Sequence, residues 1–151
     1  MNQDIKYMKL ALNEAKKAAL IDEVPVGAVI VKDDVVIAKA HNLRQKKKSV
    51  LGHAEIIAIQ KANKKLDSWI LDDCTMYVTV EPCIMCAGTI IQSRINRVVY
   101  ATDEPKFGAL GSVIDLSIVD GFNHHIIVEK GILQEEASKL MKDFFKNKRN
   151  K

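Results

Sequence analysis

Cysteine, proline, glycine and aromatic residues are all scarce in this 151-residue sequence. It contains three cysteines, three prolines, seven glycines and 5% aromatic residues. The small, odd number of cysteines argues against a disulfide framework. With so little proline and glycine, and without repeats or low-complexity tracts, the composition is that of an ordered globular protein rather than a disordered or fibrous one.

Long apolar runs are also missing. No stretch approaches the roughly 18 apolar residues that a membrane span requires. The first twenty residues carry charges that would interrupt the apolar core of a signal peptide: Asp4, Lys6, Lys9, Glu14, Lys16 and Lys17. We therefore expect a cytoplasmic protein with no membrane partner, whose thiols stay reduced and available to bind a metal.

The length of the chain limits its number of domains, and its charge limits the kinds of partner that it can bind. Hydrophobic residues make up 48% of the chain, and we expect residues 1–151 to form a single domain that ends in a basic helix and tail from about residue 133. The net charge is only +4, but Lys46–Lys48 and the six basic residues from Lys139 onward form two clusters. Such clusters attract phosphate backbones. A solvated loop and a solubilising tail are the alternative.

Hydrophobic periodicity predicts an α/β domain. Apolar residues at helical spacing predict helices, and runs rich in β-branched residues predict strands. The predicted order is a helix over 2–20, a hairpin of strands 26–31 and 35–40, a helix over 53–65, a strand over 75–80, a helix over about 83–92 initiated by Pro82, two buried strands over 96–101 and 126–128, and a helix over 133–145. Strands that alternate with helices after a hairpin imply a mixed sheet covered by helices on both faces.

Two short motifs at predicted helix starts have the residues of a metal site. They are His53-Ala54-Glu55 and Pro82-Cys83-Ile84-Met85-Cys86. Two thiolates three residues apart in a first helical turn can reach one ion, and the helix N-terminus favours their negative charge. Zn²⁺ takes nitrogen and sulfur ligands tetrahedrally, so His53, Cys83 and Cys86 would leave one position for water, as in catalytic sites.

Glu55 completes this pattern because it lies two residues after a predicted ligand. Two thiolates neutralise the charge of zinc and weaken its effect on water, so a base is needed nearby. The Glu55 carboxylate could take a proton from water and return it to a ring nitrogen and then to a leaving amine. The combination indicates hydrolytic deamination.

Other interpretations of the cysteines are a closed structural zinc site, a pair of buried thiols or a redox-active C-x-x-C pair. The sequence has no second C-x-x-C to close a four-ligand site. Cys74, just before the third predicted strand, is interpreted as a buried packing residue. The H-x-E motif and the proline before Cys83 favour the catalytic interpretation.

The motifs resemble the zinc-dependent cytidine and adenosine deaminase superfamily, which has an H-x-E and P-C-x-x-C signature. Longer stretches are similar to the bacterial tRNA-specific adenosine deaminases: residues 23–29, 77–83, 85–88, 93–95, Lys106, 111–112, 122–124 and 143–145. The resemblance implies a three-layer α/β/α cytidine-deaminase-like domain with a mixed five-stranded sheet. It also implies a homodimer that converts adenosine to inosine at the wobble position of a tRNA anticodon stem-loop.

The same resemblance implies residue roles. One Zn²⁺ per subunit would bind His53, Cys83 and Cys86, with Glu55 as the proton donor and acceptor and the Ala54 N–H facing the reacting centre. Implied substrate contacts are Asn42, Val26, Lys106, Asn123, His124, Phe145 and Arg149. Asn42 as a plain turn former and Phe145 as a packing or dimer residue are the alternatives.

The sequence departs from the family pattern at residues that would surround the target nucleotide. Residues 49–52 read Ser-Val-Leu-Gly where members often have Asp-Pro-Thr-Ala, and Glu104 and His125 are also unusual. Two other functions share these residues: a deaminase of a free base, nucleoside or nucleotide such as guanine or cytosine, and a non-catalytic, zinc-stabilised RNA-binding module. The basic residues beside aromatic ones at the chain end favour an RNA substrate.

Overall fold

The chain folds into a five-stranded sheet with helices on both faces. The computed structural model describes residues 2–149. Its elements are α1 (Asn2–Leu20), β1 (Gly27–Lys32), β2 (Val35–His41), α2 (Arg44–Lys47), α3 (Ala54–Leu66), β3 (Cys74–Val80), α4 (Ile84–Gln92), β4 (Arg97–Thr102), a 3₁₀ helix (Leu116–Ile118), β5 (Ile127–Lys130) and α5 (Gln134–Arg149). Every element predicted from the sequence is present.

The sheet is mixed, as predicted, with the strand order β2-β1-β3-β4-β5. Strand β1 is antiparallel to β2 and to β3, while β3, β4 and β5 run parallel to one another. A parallel pair needs a crossover connection, and α4 provides it between β3 and β4. This topology places the carboxyl ends of β3 and β4 side by side.

Each face of the sheet has its own core. Alternate residues of a strand point to opposite faces, so Ala28 and Ile30 pack with α3 and α4, whereas Val29 and Val31 pack with α1. Ala137 of α5 joins this second core. Cys74 is fully buried in the first core, which confirms its interpretation as a packing residue. The three-layer α/β/α arrangement is therefore confirmed.

Three details differ from the prediction. Strand β5 is exposed rather than buried, with Ile127 56% exposed, because it is an edge strand that pairs only with β4. Helix α4 begins at Ile84 with Cys83 as its N-cap in an extended conformation, so Pro82 lies outside the helix. Helix α5 continues to Arg149, because nothing in the polar sequence after Phe145 breaks it.

Helix α2 is an additional element that was not predicted, since its segment reads from the sequence as a basic loop. The carboxylate of buried Glu23 accepts the N–H groups of Gln45, at 3.0 Å, and of Lys46, at 2.7 Å. These are N–H groups that have no acceptor inside the helix, and a negative charge at this helix end is favourable. The short helix thus depends on a carboxylate 22 residues away.

A partly buried ion pair ties the start of the chain to the sheet. The Asp4 carboxylate accepts hydrogen bonds from Arg97, at 2.7 Å to Nη2, and from the Tyr77 hydroxyl at 2.6 Å. Arg97 also contacts Glu129 of β5 at 2.8 Å. The hydrogen bond from Arg97 lowers the pKa of Asp4 below its usual 3.8, although burial acts in the opposite direction.

Within residues 2–149, none of the helices combines the length and the apolar character needed to cross a membrane.

Candidate metal centre and substrate cleft

Two helix N-termini bring His53, Cys83 and Cys86 together. His53 is the N-cap of α3 and Cys83 is the N-cap of α4, and neither side chain caps its own helix. The ligand atoms of the three residues lie within 4.8 Å of one another. The Nδ1 atom of His53 is 3.4 Å from Cys86 Sγ and 3.7 Å from Cys83 Sγ, so Nδ1 is the nitrogen that faces both thiols.

The local sequence explains this geometry. Cys83 and Cys86 are three residues apart, and residues at that spacing lie on one side of a helix. The chain is extended at Cys83, which forms an isolated β-bridge with Gly108, and the Ala109 N–H donates to the Pro82 carbonyl at 2.9 Å. The segment after β4 thus fixes the turn in which Cys83 lies.

The donor set fits zinc. One imidazole nitrogen and two thiolate sulfurs are ligands that Zn²⁺ prefers. Among the residues that the structure describes, these three form the group of His, Cys, Asp and Glu side chains able to hold a metal ion. Three protein ligands correspond to the open coordination of catalytic zinc sites rather than to the closed coordination of structural ones.

The three side chains of this group shift one another's pKa values. A hydrogen bond from the Cys86 thiol lowers the pKa of Cys83 to about 4. The same bond, together with burial, raises the pKa of Cys86. The hydrogen bond to Cys83 also raises the pKa of His53, while burial and, less strongly, the positive charge of nearby Arg44 act against that increase. The cluster therefore concentrates negative charge on Cys83.

Glu55 lies beside this cluster and is only 4% exposed. It belongs to the first turn of α3. Burial raises its pKa to about 7, and the negative charge of Cys83 adds to the increase. A carboxyl group whose pKa is near neutral can both accept and donate a proton at physiological pH, which is the property that a general acid–base catalyst needs.

Asn42 and Val26, two predicted substrate contacts, are neighbours in the structure. The Asn42 N–H donates to the Val26 carbonyl at 3.1 Å. The side-chain Oδ1 of Asn42 is buried without a hydrogen-bond partner in residues 2–149. A buried acceptor without a partner carries a free-energy cost, and a hydrogen bond from a bound ligand would remove that cost.

Lys106 and Phe145, also predicted contacts, line one cleft between the segment after β4 and helix α5. The cleft has a volume of about 710 Å³, and its walls include Val80, Phe107 and Lys142. Phe145 is 42% exposed. Val80 ends β3, three residues before Cys83, but the candidate ligands and Glu55 are not among the residues that line the cleft.

The remaining predicted contacts are placed differently. The Nε2 atom of His124 lies 2.8 Å from the Ile95 carbonyl. Ile95 follows the C-terminal end of α4, whereas Cys83 caps its N-terminus, about 13 Å away along the nine-residue helix. The chain thus does not bring His124 or the exposed Asn123 to the cluster, and their contacts with substrate stay predictions. Arg149 ends α5, and its side chain lies outside the described residues.

Two residues that sequence reasoning missed organise the surroundings of the cluster. One is Glu23, which holds α2. The other is Glu81, whose buried carboxylate accepts the N–H groups of Glu104, Leu110 and Ser112 at 3.0 to 3.1 Å and the Ser112 hydroxyl. It anchors the loop that carries Lys106. The available signal was an acidic residue directly after an apolar strand, where a buried charge needs several donors.

Comparisons of sequence place this chain among deaminases. The model of the MafB19-like deaminase family matches residues 1–149. The chain is 44% identical over 151 residues to the tRNA-specific adenosine deaminase of Bacillus subtilis (strain 168), covering all of this chain and 94% of that protein. It is 43% identical over 144 residues to the tRNA-specific adenosine deaminase of Aquifex aeolicus (strain VF5), covering 95% of each.

Comparisons of structure agree. A structure from studies of A-to-I editing by tRNA:A34 deaminases at the wobble position of transfer RNA has a TM-score of 0.87 and 38% identity, covering 89% of this chain and 98% of that one. The guanine deaminase from Nitrosomonas europaea has a TM-score of 0.78 at 24% identity, covering 93% and 83%, a likeness of fold alone. With its cytidine-deaminase-like fold, the chain belongs to the MafB19-like deaminase family and, within it, to the tRNA-specific adenosine deaminases.

Proposed function

We propose that this chain, folded as one domain, hydrolyses adenosine to inosine and ammonia at the wobble position of a tRNA anticodon. The observation that carries the proposal is the cluster of His53, Cys83 and Cys86 with buried Glu55 beside it, in a chain 44% identical to a tRNA-specific adenosine deaminase. The reaction needs reduced thiols, which favours the cytoplasm as its compartment.

Zinc is the cofactor that we propose for the cluster, one ion per chain. His53 would bind it through Nδ1, and Cys83 and Cys86 through their sulfurs. When bound, zinc supplies the Lewis-acid chemistry that makes water a nucleophile near neutral pH. The N-termini of α3 and α4 add two favourable dipoles beside the thiolates.

Glu55 carries the protons in the proposed reaction. Its carboxylate accepts a proton from the water that attacks C6 of adenine, and delivers that proton to the ring nitrogen N1. A second transfer through Glu55 moves the remaining water proton to the exocyclic nitrogen, which leaves as ammonia when the C6–N bond breaks. The result is a carbonyl at C6, which is inosine, and a Glu55 ready for another cycle.

Recognition of the target nucleoside is assigned to groups around the cluster. The Oδ1 atom of Asn42 would accept a hydrogen bond from the nucleoside, and the Ala54 N–H, one of the unpaired N–H groups at the start of α3, would face the reacting carbon. The cleft between Lys106 and Phe145 would hold a neighbouring nucleotide of the loop, through a phosphate contact and base stacking.

A paired assay tests this function. Wild type and Glu55→Gln are compared on an anticodon stem-loop with wobble adenosine and on free guanine and cytosine, and zinc content is measured for both proteins. We expect inosine from wild type alone and about one zinc per chain in both. Activity on the free bases but not on the stem-loop would indicate a small-molecule deaminase. Zinc without any activity would indicate a binding module.

We also propose that the enzyme is a homodimer formed through the outer face of α4. That face carries exposed Ile84 and half-buried Met85, and a Cβ at Gly88 would meet open space. The adjacent 3₁₀ helix adds Ile118, which is 72% exposed. Light scattering should give twice the chain mass for wild type and for the edge-strand control Ile127→Lys. It should give a reduced mass for Ile84→Lys, and an unchanged mass would contradict this interface.

A further inference from the structure

Helix α2 presents a group of exposed cations. Arg44, Lys46 and Lys47 lie in the helix, and Lys48 follows it. All four are exposed, and in the part of the chain that the structure describes none of them takes part in an ion pair. Their charge is therefore free for an external partner.

The position of α2 is fixed at the rim of the candidate site. The segment that contains it starts directly after Asn42 and ends directly before His53. Its two ends are joined by a hydrogen bond from the Leu43 N–H to the Gly52 carbonyl at 2.8 Å. A Cβ at Gly52 would come within 2.9 Å of the Arg44 backbone, so this closed segment is also tightly packed.

Glu23 makes the group rigid. Its carboxylate binds the N–H groups of Gln45 and Lys46 (see Overall fold), so α2 is anchored through its backbone. The side chains of Lys46 and Lys47 take no part in that anchor and extend into solvent. Anchored cations lose less conformational freedom on binding than those of a flexible loop, which increases the affinity that each contact yields.

Further lysines lie between α2 and α5. A cavity of about 440 Å³ separates Lys46 from Lys148, with Asp22 on its wall. Lys148 is paired with Asp22 at 3.0 Å. Lys148 also lines the larger cleft, together with Lys106 and Lys142. Lysines therefore lie at intervals between the larger cleft and the outer side of α2, with Asp22 between them and Asp103 and Glu104 on the cleft wall.

We propose that α2 binds the phosphate backbone of the tRNA anticodon stem, next to the loop nucleotides held in the cleft. Residues 43–52 contain four cations but no aromatic residue on which a base could stack. Such a surface contacts phosphates rather than bases, so it adds affinity and orientation without reading sequence. The inference rests on the proposed function, because it presumes an anticodon stem-loop substrate.

The test compares two double variants that remove the same charge. Lys46→Ala/Lys47→Ala changes α2, and Lys64→Ala/Lys65→Ala changes exposed residues at the C-terminal end of α3, about 15 Å along that helix from His53. Two RNAs are used: a stem-loop with a full five-pair stem, and the same loop closed by two pairs. Deamination rates and dissociation constants are measured at several salt concentrations.

With the full-stem RNA, we expect the α2 variant to have a KM and a Kd about tenfold higher than wild type and an unchanged kcat. The slope of log Kd against log salt concentration should fall by about two, because each phosphate contact contributes about one to that slope. The α3 variant should behave as wild type, and the two-pair RNA should bind all three proteins alike. An unchanged KM and Kd, an equal loss in the α3 variant, or an equal loss on both RNAs would overturn the inference. Because Kd is measured separately, a wild type that binds RNA without deaminating it would refute the proposed function alone.

Discussion

The Sγ atom of Cys86 lies 3.4 Å from the Nδ1 atom of His53, although 33 residues separate them in sequence. The two residues belong to different helices, and both helices pack on the same face of the sheet. The geometry of the metal cluster is therefore set by tertiary packing. The motifs supply the candidate ligands, and the core between the sheet, α3 and α4 sets the distance between them.

Replacing Cys86 by Ser should remove the metal. A hydroxyl is a much weaker zinc ligand than a thiolate, and two remaining ligands do not hold the ion firmly. We expect zinc content to fall from about one per chain to near zero, with a melting temperature several degrees lower, because the bound ion stabilises the folded state. Cys74→Ser, which changes the cysteine outside the cluster, is the control and should retain its zinc. A fully loaded Cys86→Ser protein would contradict the ligand assignment.

Replacing Asn42 by Ala should lower activity without lowering stability. Oδ1 of Asn42 has no partner in the described chain, so removing it costs the free protein little hydrogen bonding. A lost substrate hydrogen bond should reduce kcat/KM on the stem-loop about tenfold or more. Chemical denaturation should give a free energy of unfolding within about 1 kcal/mol of wild type. A large loss of stability would show that Asn42 acts mainly as a structural turn residue.

Replacing Glu81 by Ala should affect both stability and RNA binding. Three N–H groups and a hydroxyl would lose their acceptor, and because only the Leu110 N–H among them is buried, we expect a destabilisation of about 1 to 3 kcal/mol. The released loop carries Lys106, so KM for the stem-loop should rise more than kcat falls. Glu136→Ala, which removes an exposed acid on α5, should change neither quantity. If the Glu81→Ala protein is destabilised but has a normal KM, then Glu81 contributes to stability and not to substrate binding.

The Asp4–Arg97 pair should make stability depend on pH in the acid range. Because Arg97 lowers the pKa of folded Asp4 below 3.8, the stabilisation is complete well above that value and is lost as the pH falls through the lower, folded pKa. Asp4→Asn should therefore lose about 2 kcal/mol at pH 7. The difference from wild type should shrink as the pH falls below about 4. Unfolding curves between pH 3 and 7 measure it, and a difference that stays constant would contradict the pairing.

Most of the fold was predictable because it depends on local patterns. The alternation in β1 and the helical spacing in α1 and α3 are visible in the sequence, and so is the pairing of H-x-E with P-C-x-x-C. Helix α2 was not predictable in the same way, since the Glu23 carboxylate that holds it is distant in sequence. Strand β5 is exposed because it lies at the edge of the sheet. Its three-residue apolar run in the sequence does not indicate that position.

The candidate site, like the fold, combines features that the sequence predicts with features that depend on tertiary contacts. The three candidate ligands and Glu55 could be proposed from spacing, and the structure brings the three ligand atoms within 4.8 Å of one another, while the roles of all four residues stay predictions. The separation of His124 from the cluster could not be predicted in this way, because it depends on the contact between the segment before β5 and Ile95, which follows α4. A resemblance to a family transfers residue types, whereas the position of each side chain depends on contacts that only the folded chain defines.

The anchoring of the two loops by Glu23 and Glu81 has a consequence for changing the substrate of this enzyme. Each carboxylate holds its loop through backbone N–H groups, which nearly every amino acid provides. The outward side chains of those loops can therefore be exchanged by mutation or by design while the loop keeps its path. Variation at positions 105–107, beside the cleft, could change which RNA is preferred, whereas variation at positions 46–51 would change the affinity for the phosphate backbone, and neither would alter the groups that carry the reaction.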